Sequence, residues 1–393
     1  MFRKKNQKTI IPLNKTEPSK GLESLIKRSK ALTNSESSKT KKEVRVFSGH
    51  TGQVNCCAFG EGFLLSGGED SNIFSWNYET GQLIRVFKGH QAAVTSIVVL
   101  PNQKGFVSSD NSGYIYYWEY KSGKSFEVYN TSLRHRYGWQ IPIVELSLSP
   151  KGEIFFIGQD PLPILVWTPP PQPNQIYQLS GELLDQSPES QNYVGLCGGS
   201  AVDTSPDGKF VAAASERTIF ICDLAADRVY HYFGGPPYKF FYSPTTVFTT
   251  DLDHSLSGML RKTIDKGRED SGHRHSGLIT SLRFLPGSMK IVSCSEDQTV
   301  RIWDFSDKTI TDPPKIIMGH NNAVRSLAIS KDGKYIFSGG DDATIRIHHA
   351  KTGNLVDILQ GHDGIISHIA ISVDGDHLAS CGQDSTIRLW ELW

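Results

Sequence analysis

Histidine, serine and aspartate return together along this chain at spacings that could build an acid–base relay. His50, Ser66 and Asp70 make one set, His275, Ser293 and Asp297 a second, and His362, Ser380 and Asp384 a third. An imidazole held between a hydroxyl and a carboxylate is how hydrolases activate a serine nucleophile. A nucleophile, however, needs one solvent-reachable constellation beside an oxyanion-binding site, whereas these sets repeat at nearly the same offsets. Repetition of that kind argues for architecture. The sequence contains no GxSxG elbow, Walker A loop, HExxH pair or Gly-rich dinucleotide turn, so the chain is expected not to be an enzyme. Histidine also clusters where a metal could bind: His273 and His275 flank Arg274, His135 lies between Arg134 and Arg136, and His348 adjoins His349. Neighbours on a strand point to opposite faces, and no nearby Cys or acidic pair completes a four-ligand set. No metal and no cofactor is expected.

The elements that carry these residues follow from composition and period. Aromatic content is 10%, there are 36 glycines, and Val, Ile, Thr, Tyr and Phe recur in short runs, as many short strands with Gly-rich turns require. Gly49-His50, Gly89-His90, Gly319-His320 and Gly361-His362 each precede an apolar residue by the same interval, at Val54, Val94, Val324 and Ile366, and His275 precedes Ile279 likewise. Downstream, the stretch from Ser293 to Asp304, ending Ile-Trp-Asp, recurs as Ser380 to Glu391, as Ser66 to Asn77 and more loosely as Ser338 to His349. This pattern resembles the WD40 repeat, with its Gly-His start, Trp-Asp end and period near 40 to 45 residues. The resemblance covers roughly residues 43 to 393.

The resemblance implies a four-stranded blade per repeat, with His, Ser or Thr, the turn Asp and the Trp in one buried hydrogen-bond network. Each of those groups is costly to bury alone and acceptable when mutually satisfied. The complete sets are His50, Ser66, Asp70 and Trp76; His275, Ser293, Asp297 and Trp303; and His362, Ser380, Asp384 and Trp390. A fourth keeps His320, Ser338 and Asp342 but has His348 in the Trp place. The Gly89 repeat keeps His90, Ser108 and Trp118 with Ser112 in the Asp place. Two central repeats are weaker: one ends at Trp167 with Pro161 in the Asp place, and the other runs from Ser205 to Asp223. Strand starts at 54, 94, 143, 199, 279, 324 and 366 predict an all-β, seven-bladed WD40 β-propeller. An eighth blade built from Tyr238 to Ile264 is the second reading. The chain stops at Trp393, after the third strand of its last repeat, so Glu43 to Phe47 is expected to supply the missing strand and close the ring.

Outside the repeats, residues 1–42 hold twelve Lys and Arg against three Glu, although the whole chain is formally neutral. That tail reads as mostly disordered, with one amphipathic stretch from Ser19 to Thr33 that could form a short helix. Long insertions are expected near 168–197, where Thr168-Pro169-Pro170-Pro171-Gln172-Pro173 cannot join a sheet, and near 234–272. No apolar run is long enough for a membrane helix, and the Lys-rich start is unlike a secretory signal. Six cysteines without a CxxC pair fit a reducing compartment, so the expected location is intracellular, in cytoplasm or nucleus. Cys56 and Cys57 fall on one strand and should face opposite sides.

In proteins of this family, partners commonly meet the face made by the inner-strand starts and by the turns before each network Asp. Carried over by position, the resemblance marks Asn55, Thr95, Thr280, Arg325 and Ser367 from the strand starts, with Glu69, Glu296, Asp341 and Gln383 from the turns. Such a face is acidic with an isolated Arg, which suits a basic peptide or protein. Arg301, Arg346 and Arg388 are read as solvated blade edges. The leading function is a non-enzymatic scaffold for protein–protein interactions in a multiprotein assembly. The alternative is a nucleic-acid-associated component whose basic tail contacts phosphates. Sequence sets no oligomeric state.

Overall fold

The computed structural model describes residues 43–134, 140–159, 164–167, 176–178, 199–226, 228–233, 274–306 and 313–392. The basic tail, nearly all of both long insertions, the stretch from Tyr238 to Ile264, His135 and His273 lie outside the described residues.

The described strands form seven antiparallel four-stranded sheets. The first blade holds β2 (Val54–Gly60), β3 (Phe63–Gly68), β4 (Asn72–Trp76) and β5 (Leu83–Lys88), and the second β6 (Val94–Val99), β7 (Gly105–Asp110), β8 (Tyr114–Glu119) and β9 (Ser125–Asn130). A single helical turn, α1 (Thr131–Arg134), leads on to the third blade. That blade holds β10 (Ile143–Leu148), β11 (Ile154–Gly158), β12 (Leu165–Trp167) and β13 (Ile176–Gln178), and the fourth β14 (Ala201–Thr204), β15 (Phe210–Ser215), β16 (Thr218–Asp223) and β17 (Arg228–Phe233). The fifth holds β18 (Ile279–Leu285), β19 (Lys290–Ser295), β20 (Val300–Asp304) and β21 (Lys315–Ile317), and the sixth β22 (Val324–Ile329), β23 (Tyr335–Gly340), β24 (Thr344–His349) and β25 (Leu355–Gln360). The seventh holds β26 (Ile366–Ile371), β27 (His377–Gly382) and β28 (Thr386–Glu391), and its fourth strand is β1 (Glu43–Ser48), which pairs Phe47 with Ile387 and Val46 with Arg388. The innermost strands β2, β6, β10, β14, β18, β22 and β26 neighbour one another in that order and return to β2. The protein is therefore a closed seven-bladed propeller. The fourth blade starts at Ala201 rather than 199, because the Gly199 amide is held by the Gly158 carbonyl of the preceding blade.

The core lies between blades. Second strands such as Phe63–Gly68 and Tyr335–Gly340 are buried along their whole length, because both faces pack on sheets. Outermost strands such as Leu83–Lys88 bury little beyond Phe87. Apolar clusters draw on two neighbouring blades at a time: Phe47, Leu64 and Trp76 meet Ala379 and Leu389, and Leu65 and Ile73 meet Phe106 and Trp118.

The inner strands are sheet edges, and their exposed amides and carbonyls need partners. Side chains from the neighbouring blade supply them. Ser96 Oγ accepts from the Leu146 amide, Ser326 Oγ from the Ile369 amide, and His368 Nδ1 from the Cys57 amide. Around the two blades that lack the His–Ser–Asp–Trp pattern, carboxylates replace the hydroxyls. Glu145 accepts from the Val202 amide, Asp203 from the Phe284 amide, and Arg283 bridges back to Glu145 at 2.9 Å. Burial raises Asp203 to about 6, against the pull of Arg283.

Closure by β1 has a measurable energetic consequence. Phe47 is 2% exposed and packs at 5.5 Å on the Trp76 ring. The Phe47→Ala variant is expected to lose about 3–5 kcal/mol in urea unfolding, the cost of truncating a buried aromatic. A Val46→Ala change on the same strand, where the side chain is 41% exposed, should cost well under half of that.

Candidate functional site

In the first blade, Trp76 Nε1–H donates to Ser66 Oγ at 3.0 Å, the Ser66 hydroxyl faces His50 Nε2 at 2.9 Å, and His50 Nδ1 faces Asp70 at 3.0 Å. Because an indole can only donate and a carboxylate only accept, the proton order is fixed: Nδ1–H donates to Asp70, and Nε2 accepts from Ser66. The same chain joins Trp303, Ser293, His275 and Asp297 at 2.7, 2.7 and 2.8 Å, and Trp390, Ser380, His362 and Asp384 at 2.8, 2.7 and 2.7 Å. Each carboxylate also accepts the amide that follows its histidine, as Asp297 does from Ser276, and an amide of its own turn, as from Thr299. Every member therefore has its partners in place. Gly49 and Gly89 precede their histidines because a Cβ there would lie 2.9 Å from the Trp76 or Trp118 ring edge.

These sets are triads in bond order and not in access. Ser66, Ser293 and Ser380 are fully buried, and each hydroxyl oxygen is already occupied by an indole N–H. No substrate carbonyl can reach them. Burial outweighs the neighbouring carboxylates and lowers the pKa of His50 and His275, holding both rings neutral. Burial alone would raise Asp297, Asp342 and Asp384. The imidazole N–H of each set, with Thr hydroxyl and backbone donors, overcomes it and holds all three well below the usual carboxylate range.

The second blade differs from the sequence reading. Asp110, two residues before Ser112, accepts from His90 at 2.7 Å, while Ser108 meets His90 at 2.6 Å and Trp118 at 2.8 Å. Residues 108 and 110 share one face of β7, so a carboxylate at 110 reaches the ring that Ser108 touches. Ser112 contributes only a backbone amide to Asp110. In the sixth blade His320 meets Ser338 at 2.8 Å and Asp342 at 2.9 Å, while His348 is 2% exposed and its Nδ1 has no partner among the described residues. Burial lowers His348 to about 4. In the third blade the buried Trp167 Nε1 has no partner among the described residues. The three arginines read as solvated edges are not: Arg301, Arg346 and Arg388 lie largely buried against Asp297, Asp342 and Asp384 at 3.5, 3.9 and 3.8 Å. Alternation along their strands aims them at the carboxylate of their own turn. Among the described residues, no three His, Cys, Asp or Glu side chains converge as a metal site.

The candidate face is rebuilt by a repeated irregularity. A β-bulge follows the first residue of six inner strands, so Asn55, Thr95, Thr280, Arg325 and Ser367 are the unpaired bulge residues. A bulge re-aims its side chain. Asn55 bonds the Val94 carbonyl at 3.0 Å, Thr95 the Ile143 carbonyl at 2.7 Å and Thr280 the Val324 carbonyl, each across to the next blade. Ser367 accepts from Gln53 at 2.9 Å. Arg325 grips Asp341 through two bonds of 2.7 Å and reaches Glu296 on the fifth blade at 3.0 Å. The isolated Arg on an acidic face is thus corrected: Arg325 neutralises two of the three acidic positions, leaving Glu69 and the neutral Gln383 exposed in their turns.

Four of the nine positions, Thr280, Glu296, Arg325 and Ser367, line one cavity of about 500 Å3 at the channel mouth, together with Gln53, Ser200, Leu278, Ile279 and Ile365. Asn55, Thr95, Glu69, Asp341 and Gln383 are not among its lining. Sequence reasoning missed Gln53, Ser200, Leu278 and Ile365, which sit one residue before the strand starts. Leu278 is the most telling, an aliphatic side chain left 46% exposed at the mouth.

Five segments, residues 41–77, 81–119, 266–304, 311–349 and 353–391, match the family model described as WD domain, G-beta repeat. They coincide with the blades that contain a His–Ser–Asp set. The chain is also similar to nuclear distribution protein PAC1 of Arthroderma otae, at 28% identity over 76% of this chain and 59% of the relative. Nuclear distribution protein nudF of Aspergillus niger is 26% identical over 76% of this chain and 60% of its own length. Kinesin-like protein KIF21B of Mus musculus is 23% identical over 76% and 18%. The chain spans about 60% or less of the length of these relatives. Among the described residues no helix is long and apolar enough to cross a membrane.

The carboxylate assignment and the odd histidine both give measurable outcomes. Asp110→Ala is expected to cost on the order of 3 kcal/mol in urea unfolding, as loss of a buried charged partner does, with Ser112→Ala within about 0.5 kcal/mol of wild type. A His348 that titrates at 6.5 when unfolded and about 4 when folded adds stability that is whole above 6.5 and lost as pH falls to about 4. Asp203 works the other way, gaining as pH falls below about 6, so the wild-type profile alone is not decisive. The difference between wild type and the always-neutral His348→Gln should therefore change by on the order of 3 kcal/mol across that window in denaturation curves.

Proposed function

With five matching repeats set in a closed ring, this chain belongs to the WD40-repeat family, and on that premise we propose that it is a non-enzymatic platform which holds proteins together inside a multiprotein assembly. The reading rests on the channel mouth, where a cavity of about 500 Å3 exposes Leu278 within a rim of hydrogen-bonded side chains. An exposed aliphatic group framed by polar residues that are already fixed suits a partner's apolar side chain, since little ordering remains to be done on binding. The buried serines offer no nucleophile, which supports a role without catalysis. Relatives named for nuclear distribution fit an intracellular setting.

A basic partner segment gains from Glu69 and from Asp363, whose side chain is 91% exposed. Nucleic acid finds less here: among the described residues, the one cationic side chain lining the mouth, Arg325, is committed to Glu296 and Asp341. The phosphate-contact alternative rests on residues 1–42, which lie outside the described residues.

Affinity capture of the tagged full chain from nuclease-treated extract, read by mass spectrometry, tests the proposal through two variants. Leu278→Asp should lose the wild-type partner set while keeping the wild-type melting temperature, and Leu355→Asp on the outer strand β25 should keep the partners. Retention of every partner by Leu278→Asp, or loss of all of them on nuclease treatment, would overturn the platform reading.

A further inference from the structure

At the channel mouth two carboxylates share one guanidinium. Arg325 Nε and Nη2 each donate to Asp341 at 2.7 Å and Nη1 donates to Glu296 Oε1 at 3.0 Å, so the cluster keeps one negative charge. Asp341 is engaged through both oxygens and its side chain is 11% exposed, whereas that of Glu296 is 40% exposed and its Oε2 has no partner among the described residues. The Glu296 amide donates to the Leu278 carbonyl at 2.9 Å, which fixes the exposed leucine next to that carboxylate's turn. Gly277 permits the approach, because a Cβ there would lie 2.7 Å from the Asp297 amide nitrogen. On the rim formed by the first and seventh blades, Gln53 Nε2 donates to Ser367 Oγ at 2.9 Å, leaving the Gln53 side-chain carbonyl and the Ser367 hydroxyl proton open among the described residues. All these side chains except Asp341 line the one cavity of about 500 Å3.

We propose that the mouth receives a lysine side chain from an extended segment of a partner protein, with its methylene stem on Leu278 and its ammonium on Glu296 Oε2. This occupant presupposes the platform reading of the same mouth and names what the platform recognises. A lysine stem lies along apolar surface while its head stays with water and counter-charge, which is the division the mouth offers. The ammonium supplies the positive charge that one guanidinium between two carboxylates leaves unmatched. A peptide group of the same segment finds an acceptor for its N–H in Gln53 and a donor for its carbonyl in Ser367.

The chemistry separates lysine from its nearest competitors. A guanidinium binds best through two parallel bonds to both oxygens of a carboxylate, and Glu296 has only Oε2 open, so a compact ammonium is the better match. A purely aliphatic side chain covers Leu278 and leaves the charge of Glu296 unanswered. An acidic side chain meets that charge with its own. Arg217 and Arg274, the cations of the neighbouring turns, are not among the cavity's lining and do not fill the place of the ammonium.

The test follows the Leu278 methyl resonances of the full chain, labelled with 13C-methyl leucine, during titration with the capped peptide acetyl-Ala-Ala-Lys-Ala-Ala-amide. Its analogues carry norleucine, which keeps the stem and lacks the ammonium, or arginine in the lysine place. The lysine peptide should shift Leu278 saturably and bind at least about threefold more tightly than the norleucine form, as a half-exposed ion pair allows. The arginine form should bind no more tightly than lysine. Glu296→Gln, which still offers Arg325 an acceptor, should melt like wild type and lose the preference for lysine over norleucine. No saturable shift up to about 10 mM peptide, a smaller preference, tighter arginine binding, or a preference that survives in Glu296→Gln would each overturn the proposal. Such a failure, with partners still captured by wild type and lost by Leu278→Asp, removes the lysine and leaves the platform. Lysine binding with no partner captured removes the platform and leaves the lysine site.

Discussion

An imidazole buried between a serine and an aspartate is the constraint on which this structure turns. Taking a neutral ring, a hydroxyl, an indole N–H and a carboxylate out of water is unfavourable for each, and they are tolerated because each bond answers the next group's need. In answering it they tie three parts of a blade together: the loop bearing His275, the strand bearing Ser293, and the turn after Asp297 with the strand bearing Trp303. Loops that would otherwise be free are thereby fixed at one face of the ring. Where the set is missing, in the third and fourth blades, the Glu145–Arg283–Asp203 cluster holds the inner strands instead. That substitute carries a cost in Asp203, whose burial disfavours its charge.

Rigidity in the plane of the ring has a second source. Bulges turn Asn55, Thr95 and Thr280 sideways onto the next blade's carbonyl, and Arg325 bridges the fifth and sixth blades. The residues most available to a partner are consequently the ones just before each strand. Leu278 and Ile365 remain at the mouth because the bulge residues beside them are already engaged. A binding surface so prepared loses little entropy on association.

Much of this was legible in the sequence. The period could be read from spacing, and the family resemblance it carries implied the three complete networks and the strand from Glu43 to Phe47 that closes the last blade. Asp110 was not, because a carboxylate two residues upstream on the same strand face serves as well as one in the turn, and a fixed offset cannot tell them apart. Bulges were equally hidden: apolar alternation continues through them, so Thr280 and Ser367 looked like upward-facing positions when their side chains lean across the seam. The charge of the face was misjudged for a related reason. Arg325 and Asp341 meet within the sixth blade, and only the juxtaposition of the fifth blade brings Glu296 to the same guanidinium.

The most direct measurement of the central claim is nitrogen NMR of the imidazoles in the 15N-histidine-labelled chain, followed as the pH is lowered. A structural pin requires His50, His275 and His362 to carry a proton on Nδ1, and requires His50 and His275 to be neutral and to stay so as pH passes below the ordinary imidazole value of 6.5. A His50 or His275 ring that titrates at 6.5 or above, or any of the three rings with its single proton on Nε2, would contradict the account. Either result would return that set to the class of open acid–base relays.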